Sequence, residues 1–221
     1  MDQLANYFLT LPLLSKLSTV SLLFPIAGAL FVFRSLNRAL KLFFIYQIIS
    51  LLTTIWMVYL ASRGINNLWL IHIQTPIEFG FFIWIFSMWQ EEGFVKRFFQ
   101  LTLPVFVFLW AILAFFVEKI DEFNTFSKPT EAIVLIIASG YCLYQVNKEK
   151  VESLFRQPSF WISSGALIYF TGTVILFTVT NLLLRESADE LFAAWTVVLV
   201  MNIIANLLYA RGFLCQRSTP A

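Results

Sequence analysis

Charge is scarce in this chain of 221 residues. Asp, Glu, Lys and Arg make up 13%, against about a quarter in a soluble domain. The net charge of +2 and the lack of any basic run interleaved with aromatics exclude nucleic acid as a partner. Histidine is scarcer still: His72 stands alone. A zinc hydrolase draws on about three protein ligands, several of them His. Membrane hydrolases of the ceramidase type need several His and Asp that this chain does not contain. The two cysteines, Cys142 and Cys215, follow no CxxC or zinc-finger spacing, so neither a structural disulfide nor a metal site is expected. GxSxG elbows, P-loops and dinucleotide fingerprints are missing too. No cofactor and no catalytic set is expected, and the reading leans away from an enzyme.

Hydrophobic residues fill the place of the missing charge. They make up 59% of the chain, 25 of them Phe, and mean hydropathy is +0.79. So much apolar surface needs lipid as its solvent. Runs without Asp, Glu, Lys or Arg fall at 17–33, 42–62, 98–117, 132–147, 157–184 and 191–210, and Trp69 to Trp89 adds a run interrupted only by Glu78. Barrel strands would alternate with polar residues, and these runs do not. The expectation is an all-α, polytopic integral membrane protein with seven transmembrane helices, in a plasma membrane or a prokaryotic inner membrane. Trp69 and Trp89 lie about 30 Å apart on a helix, one at each membrane interface.

The connections are too short to fold as domains. Residues 17–213 form the membrane domain, 1–16 an outer interfacial segment and 214–221 a cytoplasmic tail. Lys16 followed by Leu17 to Ile26 and Ala27-Gly28-Ala29 has the outline of a signal peptide. With Asp2 in place of a basic start, it reads better as a retained span. Leu4, Tyr7, Phe8, Leu11 and Leu14 recur at helical spacing. They form either a surface helix or an extension of a tilted first span past Pro12. The loops after spans one, three and five, with the tail, hold ten Lys and Arg, while the N-terminal segment and the other loops hold five. That asymmetry places the N-terminus outside and the C-terminus in the cytoplasm.

Polar residues at membrane depth carry the functional expectation. A carboxylate there is costly and faces a cavity or a partner, so Glu78 is the leading candidate. Gln74 lies four residues before it on the same helical face. Pro76 removes the hydrogen bond to the His72 carbonyl and kinks the span, which opens space for a cavity. Thr171 and Thr173 on span six and Asn202 on span seven lie at similar depth. His72, Gln74 and Asn181 form a tier nearer the outside. Glu78, Gln74, His72, Asn202, Thr171, Thr173 and Asn181 are therefore the candidates for ligand binding or proton exchange. If Glu78 only holds the bundle together, its expected partners are Asn202 or a threonine. His72 is more readily an interfacial histidine, and Asn202 and Asn206 share a face suited to interhelical bonds. Glu131, Asp189 and Glu190 read as solvated loop charges.

Seven spans with an outer N-terminus share an architecture with receptors and retinal proteins, but span seven has no lysine for a Schiff base, and architecture does not set function. The leading expectation is a sensor or receptor-like protein. It binds a small or lipidic ligand in an outward cavity around Glu78 and signals to a cytoplasmic or membrane protein partner. A small proton-coupled transporter using Glu78 is the alternative, although internal repeats and Gly-broken helices are missing. An intramembrane lipid enzyme using Glu78 and His72 is a weaker reading, and an accessory subunit of a larger complex is a fourth.

Overall fold

A computed structural model describes residues 2–147, 154–186 and 188–215. It is all-helical, and seven segments are long and apolar enough to cross a membrane. The protein is thus an integral membrane protein. Helix α1 (Asp2–Thr10) precedes Pro12 and packs on α4. The first span, Leu13–Phe31, is split into α2 (Leu13–Ser21) and α3 (Leu23–Phe31). Pro25 lies in the first turn of α3, where its missing N–H costs least. A short 3-10 turn, Phe33–Ser35, leads to α4 (Arg38–Ser62). The Asn37 side chain caps α4 by accepting the Leu40 N–H at 2.9 Å, as an N-cap residue should.

Gly64 ends α4. Its φ of 69° is left-handed, and the Gly64 and Ile65 amides bond back to the carbonyls of Ala61 and Leu60 at 3.0 Å each. This is the paired bonding of a Schellman stop, which favours glycine. The remaining elements are α5 (Leu68–Met88), α6 (Phe94–Phe116), α7 (Ser127–Asn147), α8 (Pro158–Glu186) and α9 (Ala188–Cys215).

The main packing seams are α8 with α9, α7 with α8, α9 with α3, and α5 with α6. Small residues let α8 and α9 approach closely. A Cβ on Gly165 would lie 2.6 Å from the Tyr209 ring. Helix α6 is peripheral and leaves Phe94, Phe98, Leu101, Val105 and Phe108 exposed, as suits a helix facing lipid.

Helix α7 does not start level with its neighbours. Lys128, its second residue, meets Glu78, ten residues along α5. Ten residues are about 15 Å of helix, so α7 begins roughly halfway across the bundle. The 117–126 loop fills the space above it. Asn66, in the α4–α5 loop, donates to the Asp121 carbonyl at 2.8 Å, so both loops sit at one end of the bundle. Glu118 closes this loop on itself. Its Oε1 accepts the amides of Phe126 at 2.7 Å and Ser127 at 3.0 Å, and its Oε2 accepts the Ser127 hydroxyl at 2.6 Å. A carboxylate on the first amides of a helix also opposes the positive end of its dipole.

Candidate functional site

Glu78 is fully buried. The bonds expected with Asn202 or a threonine are not formed. Instead the Tyr46 hydroxyl donates to Oε1, and the Lys128 ammonium donates to Oε2. Lys128 Nζ is also 2.6 Å from Glu131 Oε2. Three helices therefore bring two carboxylates, one ammonium and a phenol together at mid-depth: α4 supplies Tyr46, α5 Glu78, and α7 Lys128 and Glu131.

Glu131 corrects the sequence reading. It was expected in solvent and is 0% exposed. The reason is the deep start of α7: the apolar run from Ala132 begins well inside the bundle, so the charges just before it are internal. Lys128 was missed for the same reason. The available signal was helical spacing, because Lys128 and Glu131 are three residues apart and share a face.

His72 is likewise no ordinary interfacial residue. It is 1% exposed, and its Nε2 donates to the Glu122 carbonyl at 3.0 Å. Its Nδ1 lies 3.9 Å from Glu118 Oε2. The carbonyl that Pro76 frees at His72 does not open into a cavity, because the Trp110 indole N–H of α6 donates to it at 3.0 Å. Next to it, Asn124 of the loop donates to Thr75 Oγ1 at 2.9 Å. His72 thus belongs to a network that seats the 117–126 loop, separate from the Glu78 cluster.

A cavity of about 200 Å³ lies beside the cluster. Lys128, Gln74, Thr173, Asn202, Tyr169 and Trp195 are among its lining residues, and every span except α6 contributes. Gln74, Thr173 and Asn202 are therefore brought together around one cavity, although Gln74 is expected from the sequence in the tier nearer the outside. Glu78 does not line this cavity; it is reached through Lys128. Thr171 does not line it either and bonds its own helix at the Leu167 carbonyl, 2.7 Å away. Asn202 donates to Ser18 and Asn206 to Ser21, both at 2.8 Å, so this pair ties α9 to α2. The side chains of Asn181, Asp189 and Glu190 lie outside the described residues.

Toward the other end, a chamber of about 20 Å³ continues the cavity and shares Leu22, Ser50, Tyr169 and Asn202 with it. Tyr46, Gln47, Asn206 and Tyr209 complete its walls. Among the described residues, Gln47 Nε2 and Tyr209 Oη are buried there with no hydrogen-bond partner, and about 10–15 Å³ suffices for a water molecule. Beyond the chamber the bundle is aromatic. Phe43 meets Tyr209 at 4.9 Å between ring centroids, Phe82 at 5.7 Å and Phe213 at 5.6 Å, while Phe82 meets Phe170 at 5.1 Å. On the far side of this layer a second cavity of about 660 Å³ is lined by Gln90, Glu91, Glu92, Cys142, Gln145 and Gln157.

No family model, curated protein or solved structure matches the chain. The functional reading therefore rests on these residues.

Proposed function

We propose that this membrane protein is a sensor or receptor-like ligand-binding protein, with the 200 Å³ cavity as its site. The observation that carries the reading is Lys128: a buried ammonium, held from behind by Glu78 and Glu131, that forms part of a cavity wall. Gln74, Thr173 and Asn202, with Ser18, Ser50, Thr54 and Tyr169, share the lining with Leu22, Met57, Ile71, Phe177, Trp195, Val198 and Leu199. Placed polar groups beside apolar lining are the usual chemistry of a small-molecule site. At this volume the site takes a compact ligand or the head of an amphipathic one.

The proposal includes an outer N-terminus, with the cavity opening outward. The Lys and Arg asymmetry supports it. Once Lys128 is buried, the outer set retains Lys16, Arg63, Lys119 and Arg185, which is four against ten. The test is native mass spectrometry of protein released from membranes without delipidation. A bound small molecule or lipid is expected on the wild type and is absent from Gln74→Phe, whose larger ring occupies the cavity. Retention of the same mass by that variant would remove the cavity from the reading.

One observation favours a proton-coupled transporter as a second reading. Cavities reach inward from both ends and are separated by an aromatic layer next to a charged cluster, an arrangement compatible with gating around a central site. Flux into proteoliposomes that survives Glu78→Gln unchanged would exclude the cluster from such transport.

A further inference from the structure

The polar cluster is unbalanced. It contains two carboxylates, Glu78 and Glu131, and a single ammonium, Lys128, all nearly or fully buried. The other groups facing it are the phenols of Tyr46 on α4, Tyr169 on α8 and Tyr209 on α9, none of which adds positive charge. The α2 residues at this level are Ser18 and Ser21. His72 is a turn and a half away along α5 and faces Glu118. An uncompensated charge in this setting is costly, so one more positive charge belongs in the cluster.

The geometry narrows what that charge is. The Lys128 ammonium already occupies the point between the carboxylates. Among the described residues, no group of three His, Cys, Asp or Glu side chains is placed to hold a metal ion. A proton needs no such space. The two carboxylates are also unequal. Glu78 accepts from the Tyr46 hydroxyl and the Lys128 ammonium, whereas Glu131 has the ion pair with Lys128 and the Phe79 backbone N–H beside it, and among the described residues neither of its oxygens meets a side-chain donor in full hydrogen-bond geometry.

We propose that Glu78, Lys128 and Glu131 form a binding site for one proton, shared by the two carboxylates and exchanged with water through the Lys128-lined cavity. The proton comes from bulk water and binds a carboxylate oxygen; its release restores the second carboxylate. Its occupancy sets how tightly the carboxylates hold Lys128, and so how far the ammonium is available to the cavity. The aromatic layer of Phe43, Phe82, Phe170 and Phe213 closes the route to the opposite end. The site rests on the cavity proposed above for ligand binding, but its measurement needs no ligand, so the two readings fail separately.

Infrared spectroscopy of the purified full chain in lipid nanodiscs tests the site. The wild type at neutral pH is expected to show the C=O stretch of a protonated carboxylic acid, and the band should shift in D2O. Glu131→Gln and Glu78→Gln each leave one carboxylate to one ammonium, so each is expected to lose the band. Circular dichroism and a monodisperse elution profile confirm that the variant measured is folded, and either variant alone suffices for the comparison. A wild type without the band, or a band retained in either folded variant, would overturn the shared proton. A band that does not shift in D2O would overturn the cavity route.

Discussion

Replacing Lys128 with methionine tests whether charge or shape holds the centre of the bundle together. Methionine matches the lysine stem in length and leaves the α7 packing surface nearly intact. The change removes the ammonium that Glu78 and Glu131 share, and both carboxylates remain 0% exposed. Breaking a buried ion pair from one side costs about 3–5 kcal/mol. Glu131→Gln removes a charge from the same place but leaves the Glu78–Lys128 pair and the Tyr46 bond. Its expected cost is within about 1 kcal/mol, the scale of an ordinary hydrogen bond. Unfolding of both variants in detergent mixtures of rising denaturing fraction, followed by tryptophan fluorescence, gives the two differences on one scale. Equal losses would refute the charge-balance reasoning, and a Lys128→Met protein as stable as the wild type would refute any structural role for the pair.

Gly165→Ala places a Cβ 2.6 Å from the Tyr209 ring and 3.1 Å from the Ala205 carbonyl. It should destabilise the α8–α9 seam by about 1–3 kcal/mol in the same unfolding assay, with Gly140→Ala, which meets nothing within 4 Å, as the silent control. Trp110→Phe keeps an aromatic ring but strips the His72 carbonyl of its donor. A cost of about 1–3 kcal/mol is expected, and hydrogen exchange should rise in the 117–126 loop; unchanged exchange there would uncouple the loop from the Pro76 region. Reporters fused after Ala221 should be active only on the cytoplasmic side, and activity on the outer side would reverse the proposed orientation.

The seven spans were legible because each needs only length and low charge, and both can be counted along the chain. Glu78 was legible as an anomaly in an apolar run, Gln74 by its spacing of four residues from Glu78, and Thr173 and Asn202 by their depth along their helices. Its partners were not. Depth was inferred from where each apolar run begins, and α7 begins at mid-membrane behind a loop that dips inward. Lys128 and Glu131 therefore looked like ordinary boundary charges. The capping by Glu118 and the Trp110 bond to His72 were equally hidden, since both join segments whose proximity depends on that dipped loop.

The deep start of α7 also constrains how the protein enters the bilayer. A span that carries a lysine and a glutamate in its first turns is a poor candidate for independent insertion, because each such charge at mid-membrane costs about 2.5–3.5 kcal/mol. Helix α5, with Glu78, carries the complementary penalty. Each segment relieves the other only once they lie side by side with Tyr46 of α4. The expected order of assembly follows: α4 and α5 hold Glu78 with the Tyr46 bond but without its ammonium until α7 joins them with Lys128.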